Sequence, residues 1–165
     1  MANLKEIRGR IKSITSIQKV TSAMKMVAAA KLRTSQSNME QCRPYSNKIS
    51  SLLNDLLGEC DSANFKLMQK REISKTLYVV ITSDRGMAGA FNTNILKKAQ
   101  SDIDINGKNE AMIISIGKKS RDYFKNRNFD IVSEHIDFWG ELSFEHAINI
   151  GNEIVDLFIS KKVDK

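Results

Sequence analysis

The chain has 165 residues, 41% of them hydrophobic and 27% charged, with a net charge of +7. That length holds one ordinary domain plus an appendage, and the composition is that of a globular protein. No run approaches the ~18–20 apolar residues of a membrane-spanning helix. Cys42 and Cys60 lack CxxC spacing, which points to free thiols in a reducing compartment and away from a disulfide or metal pair. His135 and His146 do not stand in a ligand-spaced cluster, so no metal site is expected.

The charge is unevenly placed. Residues 1–39 hold Lys5, Arg8, Arg10, Lys12, Lys19, Lys25, Lys31 and Arg33 against Glu6 alone, while the remaining chain is neutral. Such asymmetry calls for an acidic partner of the first segment: nucleic acid, anionic lipid or an acidic protein surface.

From the N-terminus, Leu4, Ile7, Ile11 and Ile14 step by three, four and three, a heptad seam. The same frame returns to apolar residues at Ile49, Leu53 and Leu56, with a mostly polar middle. Through that middle, Ile17, Val20, Met24 and Val27 carry an apolar row one residue earlier, and Ala28–Ala30 let a partner backbone approach closely. The stretch TSAMKMVAAAKLR (21–33) is thus too basic for a buried helix and too apolar for a surface one. A helix of ~50 residues would be ~75 Å long, a length no small domain can bury. Pro44 removes an intrahelical hydrogen bond and disfavours helical geometry at Arg43, so a kink or break is expected near residues 40–44. Gly58 should end the helix.

Residues 59–75 read as a linker. Beyond them the rhythm changes. LYVVIT (77–82), AMIISIG (111–117) and IVSEHI (131–136) read as strands. FNTNILKKAQSDI (91–103), KKSRDYFKNR (118–127) and SFEHAINIGNEIVDLFI (143–159) read as helices, the last with Ser143 as N-cap. The expected fold class is α/β: a long coiled-coil-type helix (1–58), a linker, and a small Rossmann-like parallel sheet with helices (76–165). The chain stops at KKVDK, where a fourth strand would be due, so that domain reads as truncated.

ITSDRGMAGAFN (81–92) follows a strand and leads into a helix, a place where phosphates often bind. Gly86 and Gly89 do not make G-x-G-x-x-G, however, and a tight structural turn is the preferred reading, with Gly86 or Gly89 at positive φ. IGKKS (116–120) resembles the tail of a P-loop, but Met112 stands where its first glycine should be. No nucleophile–base arrangement stands out, and no cofactor is expected.

The basic helix admits three sharp readings. A mitochondrial presequence would be basic and acid-poor, but does not usually carry a fifty-residue seam. A leucine-zipper DNA reader would place its basic block before the heptads, whereas here the charges interleave with them. A rod inside an acidic, partly apolar protein channel fits both features. A basic coiled-coil nucleic-acid-binding protein stays as the alternative, and a nucleotide-using α/β enzyme as a third.

KEIRGRIKSI (5–14), QKVTSAMKMVAAAKLR (18–33), RPY (43–45) and SDRGMAGAFN (83–92), at this spacing, resemble the gamma subunit of F-type ATP synthase, the rotating central stalk. The resemblance covers essentially the whole chain. Met87 and Ala88 depart from the Leu and Cys frequent in the family, and the family's second long helix, antiparallel to the first, is absent. The resemblance implies a non-catalytic rotor that couples proton flow to ATP synthesis, at the cytoplasmic face of a bacterial inner membrane or, alternatively, on the matrix side of the mitochondrial one. Because the family motif begins at residue 4, no room is expected for a presequence. Implied partners are the alpha and beta subunits, the epsilon subunit and the membrane c-ring, and not nucleic acid. Ile7, Ile11, Ile14, Lys19, Met24, Lys25, Val27, Ala28 and Lys31 would contact the alpha–beta ring and the second axle helix, with Met24 and Lys25 facing beta segments. Arg43, Pro44 and Tyr45 would lie at the foot, towards the c-ring. Ser83, Asp84, Arg85, Gly86, Gly89 and Asn92 would form the structural turn.

Overall fold

A computed structural model describes residues 3–57, 65–69, 71–107 and 110–165. The chain divides into two units, Met1–Cys60 and Asp61–Lys165. The first is a single helix, α1, Leu4–Leu57, with no buried residue. Asn3 starts it: its side-chain Oδ1 accepts the Lys5 N–H at 3.3 Å, and its carbonyl accepts those of Glu6 and Ile7. That satisfies donors a helix N-terminus otherwise leaves open.

Of the kink or break expected near residues 40–44, the break is not present: α1 runs through Pro44 as one helix. Proline removes one hydrogen bond, here to the Glu40 carbonyl. On an exposed helix that carbonyl can be hydrated instead, and the flanking turns carry the helix past it. The expected stop at Gly58 lies outside the described residues.

The second unit is built on a three-stranded parallel sheet in the order β1-β2-β3. Its elements are β1 (Thr76–Ile81), α2 (Phe91–Asn106), β2 (Ala111–Ile116), α3 (Lys118–Lys125), β3 (Asp130–His135) and α4 (Phe144–Ile159). The central strand is apolar on both faces, as a strand covered on both sides must be. Ala111 and Ile113 pack with Val80, Leu96, Ile103 and Phe124 under α2 and α3. Ile114 and Ile116 pack with Leu157 and Val163 on the α4 side. The pairing of β2 with β3 slips between Ile113 and Ile114, so that Val132 is skipped. Ser143 stands at the N-cap of α4 in extended conformation, and its N–H reaches His146 Nδ1 at 3.3 Å. Histidine thus fills the place of the usual Glu or Gln in a capping box.

The linker expected over residues 59–75 is only partly open to description, since 59–64 and 70 lie outside the described residues. The rest is not a free tether. Lys66–Met68 form one 3-10 turn, and the Arg71 guanidinium donates to the Phe158 carbonyl at 2.7 Å while lying over the Phe158 ring. A planar cation over an aromatic face holds better than polar composition alone would predict. At the other end Val163 is buried, and Asp164 and Lys165 exchange backbone hydrogen bonds with Lys75 and Leu77 beside β1.

Candidate functional site

Two regions carry the residues picked out by sequence: the face of α1 and the β1–α2 junction. Along α1 the apolar seam is presented rather than packed. Ile11 is 59% exposed and Met24 66%, and Ile7, Ile14 and Val27 are likewise exposed. Three threonines satisfy their hydroxyls on the helix itself: Thr15 donates to the Ile11 carbonyl, Thr21 to Ile17 and Thr34 to Ala30. Glu6 and Arg10, one turn apart, pair at 2.7 Å. Among the described residues Lys19, Lys25 and Lys31 make no ion pair, so their charge remains available to a partner. Arg43 and Tyr45 flank Pro44 on the same exposed helix.

The β1–α2 junction is a structural clamp. Ser83 and Asn92 hold each other: the Asn92 amide nitrogen donates to Ser83 Oγ at 2.8 Å, and the Ser83 N–H donates to Asn92 Oδ1 at 3.0 Å. The Ser83 hydroxyl donates to the Arg85 carbonyl at 2.6 Å, which folds the turn. Asp84 joins three loops. Its Oδ1 accepts the Lys118 N–H at 2.8 Å and its Oδ2 the Asp137 N–H at 2.9 Å. Lys118 Nζ and the Asp137 carboxylate close the triangle at 2.7 Å.

These bonds bear on the IGKKS stretch, which leads into α3. A helix N-terminus binds anions through open N–H groups. At α3 those groups are taken in order: Lys118 by Asp84, Lys119 by the Ser83 carbonyl, and Ser120 by Thr82 Oγ1. The Asp84 carboxylate occupies the position an anion would use, where the helix dipole favours negative charge. Near β3 and α4, Ser133, His135 and Glu153 come together, but both Ser133 Oγ and Glu153 Oε2 lie against the same ring nitrogen, Nε2. A relay needs the base to use both nitrogens, so this trio is a histidine–carboxylate contact with a neighbouring hydroxyl.

Of the two glycines proposed for positive φ, Gly89 has it, at 56°, and Gly86 does not; Met87 adopts 62° instead. Among the described residues the most constrained glycine is one that sequence reasoning missed. Gly117 has φ 98°, and a Cβ there would lie 2.2 Å from the Thr82 carbonyl oxygen. Its signal is a glycine directly between a strand and a helix in IGKKS.

Residues 3–165 match the family model described as ATP synthase. The chain belongs to the ATP synthase family. Its relatives include the ATP synthase gamma chains of Christiangramia forsetii, 44% identical, and Desulforamulus reducens, 39% identical, each aligned over the whole of this chain and 58% of its own length. The chain therefore spans just over half the length of these relatives. A solved structure, the Euglena gracilis mitochondrial ATP synthase OSCP/F1/c-ring assembly, holds a chain of the same fold. The two superpose with TM-score 0.54 at 20% identity over 89% of this chain and 46% of that one. Of the sequence-picked residues, Gly86, Gly89 and Asn92 line one open cavity of about 400 Å³ together with residues of α2 and α3. Those of α1 form an exposed face, and at the junction Ser83, Asp84 and Asn92 are half-buried while Arg85, Gly86 and Gly89 are exposed.

Proposed function

We propose that the chain is the N-terminal part of the gamma subunit, the rotor linking proton flow through the membrane sector to ATP synthesis in the alpha–beta ring. One observation carries the reading: a 54-residue helix with no buried residue bears both the apolar seam and all eight basic residues of the basic first segment. At ~1.5 Å per residue it is about 80 Å long. A helix draws most of its stability from tertiary packing, so this one needs long partners.

In this reading Ile7, Ile11 and Ile14 meet a second axle helix. Lys19, Met24, Lys25, Val27, Ala28 and Lys31 face the ring, and Arg43, Pro44 and Tyr45 lie towards the c-ring and epsilon subunit. The chain performs no chemistry. The asymmetric axle contacts each beta subunit differently, and a differential contact is what shifts a conformational population. The clamp around Asp84 supports this role, because it makes the α/β unit a rigid handle. The complex then lies at the cytoplasmic face of a bacterial inner membrane; the matrix side of the mitochondrial membrane is the other setting for such a complex.

Co-expression with the alpha and beta subunits tests the reading. The chain should co-elute with the ring at one copy per ring, and Met24→Asp with Val27→Asp should abolish co-elution. A chain that ignores the ring and instead binds DNA with a steep salt slope would overturn it.

A further inference from the structure

We propose that the chain entering β1 is a strap pinned at two points, by Arg71 and by Asp164, through which turning of the α/β unit is passed to α1; this rests on the rotor reading. α1 ends at Leu57 and β1 begins at Thr76, so residues 58–75 join them. A free polar tether of that length has an end-to-end spread of roughly 20 Å. It would take up rotation before passing any on.

The end of this joint that leads into β1 is not free. The Arg71 guanidinium lies over the Phe158 ring, 4.3 Å from its centre, and donates to the Phe158 carbonyl at 2.7 Å. Phe158 stands in the last turn of α4, next to the buried Leu157. A planar cation stacked on a ring and bonded to backbone at once is more firmly placed than a lysine ammonium. A little further along, the Ser74 and Lys75 N–H groups both donate to Asp164 Oδ2, at 3.1 and 2.9 Å. Asp164 is itself held, because its N–H donates to the Lys75 carbonyl at 2.8 Å and its neighbour Val163 is buried with Ile114 and Ile116. A single pin would act as a swivel. Two pins on separate anchors fix the direction of the chain as well as its position. The Arg71 charge also acts on the Asp164 carboxylate, so the two pins support each other.

Two measurements test the strap. In the free chain, cleavage by a glutamate-specific protease after Glu72, between the pins, reads their opening. Arg71→Ala and Asp164→Ala should each speed that cleavage about tenfold, since cleavage follows the population of the open form. A cooperative Trp139 transition in urea checks that each variant is folded. In the complete subunit, assembled in its complex, either substitution should lower proton pumping per ATP hydrolysed to about half or less, and the double variant should lose little more, because coupled contacts do not add. Parent-like pumping in a variant whose Glu72 site has opened would show that the joint carries no turning force. Parent-like resistance at Glu72 in both variants would show that these contacts do not hold it. Losses that add would mark two independent contacts instead of one fastening. Each of these three results overturns the strap and leaves the rotor reading standing. A parent subunit that assembles but never couples hydrolysis to pumping would overturn the rotor reading, and the strap with it.

Discussion

Gly117→Ala should unfold the α/β unit far more readily than its size suggests. Two effects add. The backbone at φ 98°, ψ 146° lies near a region populated almost only by glycine, and holding an L-residue there costs ~1–3 kcal/mol. The new methyl would also meet the Thr82 carbonyl oxygen at 2.2 Å and its carbon at 2.8 Å. These are backbone atoms and cannot swing aside. Relief requires β1 and β2 to part at their ends, where the Thr82 N–H donates to the Ile116 carbonyl and Thr82 Oγ1 accepts the Ser120 N–H. Losing one of these buried hydrogen bonds adds ~1–3 kcal/mol. The sum, about 4 kcal/mol, is a large part of the ~5–15 kcal/mol that holds a domain together.

Trp139 is the only tryptophan and belongs to this unit, so its fluorescence in urea follows the α/β unit without interference from α1. With a slope of ~2 kcal/mol per molar urea, Gly117→Ala should lower the midpoint by about 2 M. Gly89→Ala is the control: its φ is also positive, but a Cβ there meets nothing within 4 Å, so only ~1 kcal/mol of left-handed strain applies. Equal effects of the two substitutions, or a Gly117→Ala midpoint within 0.5 M (~1 kcal/mol) of the parent, would refute the steric argument.

Asp84→Asn should cost ~1–3 kcal/mol on the same urea curve, because an amide nitrogen would confront one of the two N–H groups that the carboxylate accepts; an unmoved midpoint would show that the three loops are held by other contacts. The Lys75 N–H and then the Ser74 N–H hold the Asp164 carboxyl below its usual value near 3.8. A lowered folded-state value gives stability that is present above 3.8 and lost as pH falls through the folded-state value; the midpoint difference between parent and Asp164→Asn should therefore shrink on acidification from pH 7, and a difference that grew would reverse the sign. Pro44→Ala should raise the helical circular dichroism and the melting temperature of α1, since proline inside a helix is ~3 kcal/mol worse than alanine; an unchanged signal would mean that Pro44 does not destabilise α1. In the complete subunit, Ile11→Asp with Ile14→Asp should uncouple ATP hydrolysis from proton pumping, each buried unpaired carboxylate costing several kcal/mol. Arg10→Gln, an exposed charge worth ~1 kcal/mol or less, should leave pumping nearly intact, and the opposite ranking would sink the axle assignment of these residues.

Most of the α/β unit is legible in the sequence because its signals are local. Apolar runs bounded by Gly, Asn and Asp place each strand within a residue of the one observed, and the 3.6-residue spacing of Ala147, Ile150, Ile154, Leu157 and Phe158 places α4. The contacts that organise the candidate junction are long-range and leave no local pattern. Asp84 reaches Lys118 and Asp137, 34 and 53 residues away, and nothing in SDRG names either partner. Arg71 reads as one more polar residue in a polar stretch because its partner, Phe158, is 87 residues distant. Gly117 is a lone glycine, and the closely spaced pair Gly86 and Gly89 is the louder signal. Pro44 misleads for a different reason: a propensity argument treats the proline in isolation, while the flanking turns decide whether the helix closes over it.

The two units draw on different sources of stability, and this separates their mutational signatures. Every apolar side chain of the α/β core has partners within residues 61–165, so a core or clamp substitution changes the Trp139 unfolding curve of the free chain. The seam residues of α1 have no such partners, so removing their side chains costs the free monomer little beyond helix propensity. Their energy is realised only when another surface covers them, as affinity rather than as folding stability. A substitution at Ile7, Ile11 or Val27 that leaves the Trp139 transition in place while abolishing association therefore marks a contact residue. One that shifts the transition without touching association marks scaffold. Measured across α1 and the junction, that pair of readouts sorts the candidate residues whichever surface covers the seam.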